Sequence, residues 1–104
     1  MNRYYLSADA ELDFDEIIEY LSQLPQQPAD RIGASIQHAL ERISDNPFVG
    51  RTQSDLTRRF GVEIRSWLVG TYRLIYRLDG TAPEIIGLLH TSRDITSIMG
   101  QRLN

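Results

Sequence analysis

Residues 61–94, GVEIRSWLVGTYRLIYRLDGTAPEIIGLLHTSRD, limit the possible folds more than any other part of the chain. Three strand patterns follow one another. Over residues 62–69, Val62, Ile64, Ser66 and Leu68 fall on one face, and Glu63, Arg65, Trp67 and Val69 on the other. Such period-two alternation marks a half-buried strand. Gly70-Thr71 turns the chain. Tyr72, Leu74, Tyr76 and Leu78 form the next inward set, with Arg73, Ile75 and Arg77 opposite. Asp79-Gly80 is a strong turn dipeptide, and Pro83 limits where the third strand begins. From Glu84 the alternation fails, because Ile85, Ile86, Leu88 and Leu89 are apolar on both faces. A strand of that kind is buried on both sides.

Three strands cannot cover themselves, and the first half of the chain supplies a cover. Residues 3–6 are a short strand candidate. Ser7 can cap a helix from Ala8, with Asp9 and Glu11 in its first turn, where acidic groups favour the helix dipole. Phe14, Ile17, Ile18, Leu21 and Leu24 keep helical spacing, and Pro25 ends the run. Pro28 suits the first turn of a second helix, whose stripe is Ile32, Ile36, Ala39, Leu40 and Ile43. Gly33 inside that helix costs about 1 kcal/mol against Ala. Asn46-Pro47 stops the helix. Residues 46–60 read as a loop, and residues 91–101 as a short last helix.

The expected fold is therefore α+β, in the order β-α-α-β-β-β(-α), with a helical hairpin on one face of a mainly antiparallel sheet. Its core should include Phe14, Ile17, Leu21, Ile36, Leu40, Ile43, Leu74, Tyr76 and Leu88. Two helices cover one face only. Ile75, Ile85 and Leu89 are thus expected on an open apolar face that a partner covers, with Trp67 as a further contact.

The chain has 104 residues and no cysteine, which implies one small domain, 1–104, without disulfides or a thiolate metal site. No apolar run approaches the ~20 residues of a membrane span. Residues 1–16 lack the apolar core of a secretory signal, so cytoplasmic residence is expected. No P-loop, dinucleotide fingerprint or Gly-x-Ser-x-Gly elbow occurs. The two histidines, His38 and His90, are far apart in sequence, and neither a metal nor a cofactor is expected.

The net charge of −3 is unevenly spread. Residues 1–50 carry three Arg and nine acidic groups, a net of −6, whereas residues 51–104 carry eight Arg and five acidic groups, a net of +3. There is no lysine. One reading is an acidic helical surface beside a mildly basic sheet. The other is a binding face made from Arg51, Arg58, Arg59, Arg65, Arg73, Arg77 and Arg93. Arginine grips carboxylates and phosphates in bidentate fashion, so an acidic segment fits that face as well as nucleic acid does. A sequence pI near 5.2 weighs against a strong RNA-gripping field.

Several residues, in order, resemble a known family. They are Ser7, Ala10, Asp13-Phe14, Ile17 and Tyr20; Asn46-Pro47 and Gly50-Arg51; Gly61-Val62 and Arg65; Tyr72-Arg73-Leu74-Ile75-Tyr76; and Leu89-His90 with Arg93-Asp94. Together they resemble the RelE/ParE superfamily of type II toxin–antitoxin toxins, and most closely its ParE branch. The resemblance implies a toxin that poisons DNA gyrase and is neutralised by a cognate antitoxin in a hetero-oligomer.

The RNA-cleaving RelE branch is the alternative, acting on messenger RNA at the ribosome. Arg73 matches the arginine that stabilises its phosphorane-like transition state. That branch places a His or Tyr acid just after the last strand and a Glu or Lys base in the loop before the sheet. Here Ser92 and Arg93 stand in the acid region, Asp55 is the nearest loop carboxylate, and His90 lies a few residues early. Ribonuclease chemistry would rest on Arg73, Asp55 and His90, whereas gyrase binding would rest on Arg65, Arg73, Arg93 and Arg51. A non-toxic antitoxin-binding homologue is a third reading. Arg93-Asp94 also suits a local pair capping the last helix.

Overall fold

A computed structural model describes residues 3–80 and 82–104. β1 (Tyr5–Leu6) leads into α1 (Ala8–Leu21) and α2 (Gln26–Asp45). β2 (Arg51–Thr52) and α3 (Ser54–Phe60) follow, then the meander β3 (Glu63–Val69), β4 (Tyr72–Leu78) and β5 (Glu84–His90), and last α4 (Ile95–Arg102). The five strands form one sheet in the order β1-β5-β4-β3-β2. Among the described residues only the β1–β5 pair is parallel. This is the expected α+β architecture, with two additional elements between α2 and β3.

Ser7 caps α1, its hydroxyl accepting from the Ala10 N–H at 3.1 Å. Ile17 of α1 and Ile36, Ala39, Leu40 and Ile43 of α2 pack with Leu74, Tyr76, Ile85 and Leu88 in one buried cluster. Phe14 and Leu21, expected in the core, are partly buried at its border.

The opposite face is not open. Leu56 of α3 and Met99 of α4 close over Ile64, Ile75, Ile86 and Leu89 in a second buried cluster. Residues 46–60 are therefore not a plain loop. Leu56 anchors a helical turn that ends at Gly61 in the left-handed conformation, φ 69°. The Thr57 hydroxyl accepts from the Ile64 N–H at 3.0 Å, which fixes α3 to β3. The expected apolar patch at Ile75, Ile85 and Leu89 is thus corrected: these side chains are 0%, 0% and 3% exposed. The last helix also starts later than expected, at Ile95, capped by Asp94 accepting from the Ser97 N–H at 3.2 Å.

β5 explains why its alternation fails. Ile75 of β4 pairs with Gly87, but Tyr76 pairs with Ile85, which leaves Ile86 as an extra residue. A bulge of this kind shifts the facing of the strand. Ile85 and Leu88 therefore both reach the hairpin cluster, and Ile86 and Leu89 reach the α3–α4 cluster. The expectation that Ile85 and Leu89 share a face assumed an unbroken period of two.

Candidate binding groove at the β2–β3 edge

The turn between α2 and β2 is fixed from below. The Tyr76 hydroxyl donates to the Pro47 carbonyl at 2.6 Å and accepts from the Gly50 N–H at 2.9 Å. Burial raises the phenol pKa above its ordinary value of 10.0, which keeps it a donor. A Cβ at Gly50 would lie 2.5 Å from that hydroxyl oxygen, so only glycine fits. Arg65 holds the turn from its other side, donating to the Phe48 carbonyl at 3.0 Å and the Gly50 carbonyl at 2.7 Å. Its Nε pairs with Glu63. The Phe48 ring lies over the guanidinium, 5.2 Å from centroid to Cζ, and stays 64% exposed.

Beside this turn lies a groove of about 720 Å³, lined by Arg51, Thr52, Gln53, Asp55, Trp67, Leu68, Arg73 and other residues. Its walls come from both faces of the sheet. Arg51 pairs with Ser66, and Leu68 with Arg73, so all four point to the α3–α4 side. Trp67 points to the hairpin side, packs on that core and has the Arg42 guanidinium 5.9 Å from its ring. A groove walled by both faces opens at the sheet edge.

The basic residues divide by what already holds them. Arg65 pairs with Glu63, Arg77 with Glu84 and Arg102 with Asp13. Arg58 makes a loose pair with Asp55 at 3.6 Å. Arg59 lies over the Phe60 ring, 5.0 Å away. Among the described residues, Arg51, Arg73 and Arg93 make no ion pair. Arg93 is exposed in the turn after β5, and α4 borders the groove through Thr96. Of the arginines expected to bind a target, Arg51 and Arg73 share the groove, whereas Arg65 holds the turn beneath it.

His90 is turned elsewhere. It pairs with Tyr72, and the two rings meet edge to face at 5.9 Å on the hairpin side. The Ser92 N–H donates to His90 Nδ1 at 3.1 Å, so that nitrogen is an acceptor and the ring proton sits on Nε2. The Ser92 hydroxyl lies 2.8 Å from the same nitrogen. Arg73 and Asp55 thus border one groove, and His90 lies across the sheet from them. Among the described residues no three His, Asp or Glu side chains are grouped to hold a metal ion.

Sequence reasoning missed the exposed Phe48 and Leu68, and missed that Arg65 is held within the fold. The signal for the turn was present in Asn46-Pro47, Gly50 and the polar hydroxyl of Tyr76. Their meeting needed the register of β4.

Over 96 residues the chain is 26% identical to Toxin ParE1 of Mycobacterium tuberculosis, covering 90% of this chain and 94% of that protein. Over 85 residues it is 26% identical to Toxin RelE1 of Caulobacter vibrioides, covering 82% and 88%. The model of a family described as the ParE toxin of a type II toxin–antitoxin system matches residues 4–95. With most of its length matched, the chain belongs to the ParE toxin family of type II toxin–antitoxin systems.

Proposed function

We propose that this toxin inhibits DNA gyrase in the cytoplasm and that Arg51, Arg73 and Arg93 form its target-binding face. Arg65 supports that face by holding the turn at residues 46–50. The observation that carries the reading is that Arg51 and Arg73 line one groove, with no ion pair among the described residues, while His90 faces the hairpin side. Two arginines can grip a charged surface in bidentate fashion. Cleaving RNA would further require a proton donor at the leaving oxygen, and such groups typically contribute ~10²–10⁴-fold each.

The RelE-like ribonuclease is the second reading, favoured by Asp55 and Arg73 bordering the same groove. Two assays on the purified toxin separate them. The gyrase reading expects inhibition of supercoiling and intact message on translating ribosomes. Codon-specific cuts in ribosome-bound message, abolished by Arg73→Ala, would overturn it.

A further inference from the structure

The turn after β5 holds a hydroxyl against a base. The Arg93 N–H donates to the His90 carbonyl at 2.9 Å, which closes the turn, and the Thr91 N–H donates to the Thr71 carbonyl at 2.8 Å, which ties it to the neighbouring hairpin. The His90 ring is held as well. Tyr72 meets it edge to face, and the Ser92 N–H donates to Nδ1 at 3.1 Å. A backbone N–H can only donate, so Nδ1 is an acceptor. Ser92 Oγ, 2.8 Å from the same nitrogen, must then donate its own proton to it.

A serine hydroxyl that donates to a neutral imidazole nitrogen is the arrangement of a nucleophile with its general base. The proton that Oγ loses on attack has a hydrogen bond to follow. Ser92 is exposed, so a small electrophile reaches Oγ without a cleft. Arg93, next in the chain, is also exposed and makes no ion pair among the described residues, which favours an anionic electrophile. The nearby Asp94 carboxylate is engaged as the cap of α4, accepting from the Ser97 N–H at 3.2 Å.

We propose that Ser92 is a phosphoryl-acceptor site with His90 as its general base, and that the donor is a small acyl phosphate. Oγ attacks phosphorus, the bond from phosphorus to the acyl oxygen breaks, the carboxylate leaves, and the hydroxyl proton passes to His90 Nδ1. The phosphoserine places nearly two negative charges beside Arg93 and so masks it. Only the effect of that masking on toxicity rests on the proposed function. The transfer itself is measured without gyrase, so its failure and the failure of the gyrase reading are distinguishable.

The test incubates the purified toxin with acetyl phosphate and follows intact mass and the modified residue. Ser92 should gain one phosphoryl group at least about tenfold faster than Thr91, Thr96 and Ser97, which are exposed hydroxyls of the same region. His90→Asn keeps an acceptor for the Ser92 N–H but cannot take the proton. It should slow labelling at least about tenfold, since a general base typically contributes ~10²–10⁴-fold. Ser92→Ala should abolish the labelling. If His90→Asn fails to fold, the preference for Ser92 over the other hydroxyls of the parent decides alone. Even labelling of these hydroxyls would overturn the proposal, as would labelling of Ser92 undiminished in folded His90→Asn. So would no labelling, or an acid-labile phosphoryl group on His90 itself. Phosphorylated toxin should inhibit supercoiling at least about tenfold less than the parent, and equal inhibition would overturn the masking of Arg93.

Discussion

At one edge of the sheet, β5 runs beyond the two residues of β1, and side chains close the gap. Asp13 accepts from the Leu88 N–H at 3.0 Å, and Arg102 donates to the Ile86 carbonyl at 2.9 Å. The two side chains also grip each other in bidentate fashion, at 2.7 and 2.8 Å. At the other edge, β3 runs beyond the two residues of β2, and among the described residues no strand pairs with the outer side of Leu68. Uncovered edges invite pairing with other chains, and proteins normally block them. This molecule blocks one edge with a buried ion pair and places beside the other two arginines, Arg51 and Arg73, that make no ion pair among the described residues. The contrast separates an edge that maintains the fold from the edge to which the proposed function assigns recognition.

The largest expected effect lies at the closed edge. Asp13 and Arg102 side chains are 8% and 17% exposed. Asp13→Ala strands a buried guanidinium and orphans the Leu88 N–H. Breaking one partner of a buried pair costs about 3–5 kcal/mol, and chemical denaturation should show a loss of that size. A double-mutant cycle with Arg102→Ala should reveal strong coupling. If Asp13→Ala costs less than about 1 kcal/mol, the closed edge is not held as described.

Gly50 gives the next effect, near the open edge. Gly50→Ala places a Cβ 2.5 Å from the Tyr76 hydroxyl and 2.9 Å from the Ser66 carbonyl. Overpacking of this kind costs about 1–3 kcal/mol. The turn should loosen, and exchange at the Gly50 N–H should quicken. A variant as stable as the parent would show that the turn yields, and that Phe48 is not displayed rigidly.

These two sites show how far the sequence could be read. The helical hairpin was legible because Ile17, Ile36, Leu40 and Ile43 repeat at helical spacing, and each is buried. The meander was legible from its turn dipeptides. α3 was hidden because seven residues carry too little periodicity, although Leu56 and Phe60 stand four apart and Gly61 follows them. The burial of Ile75 and Leu89 was hidden for the same reason, since α3 is part of what covers them. Asp13 and Arg102 are 89 positions apart, and no local pattern joins them. Within the groove, Arg51 and Arg73 were legible as arginines and as alternating positions. That Arg65 is held by the turn depended on where Phe48 and Gly50 carry their carbonyls.

Alkaline pH sharpens the comparison by acting on the turn rather than on the ion pair. Burial raises the pKa of Tyr76 and of Tyr72 above 10.0 in the folded state. Between the unfolded and folded values the unfolded chain has lost protons that the folded chain retains, so stability falls as pH rises. The contribution is fully present below pH ~10 and is lost as pH climbs through the folded values. Tyr76→Phe should flatten this decline while lowering stability at pH 7, because the Gly50 N–H loses its acceptor. An unchanged alkaline slope in Tyr76→Phe would exclude Tyr76 as its source.

The smallest effect on stability is expected where the effect on function is greatest. Arg51 and Arg93 are exposed and make no ion pair among the described residues. Substitutions at such positions usually change stability by less than ~0.5 kcal/mol. Arg51→Glu and Arg93→Glu should therefore unfold at nearly the parental denaturant concentration, with an unchanged dependence on denaturant. Growth inhibition by these variants should nonetheless fall sharply, because reversed charge repels the surface that arginine grips. Arg77→Glu is the control, since Arg77 is held by Glu84. It should lose more stability than either and less inhibition per folded molecule. If the Arg51 and Arg93 variants fold normally and remain fully inhibitory, the open edge is not the recognition edge, and the contrast between the two edges is structural only.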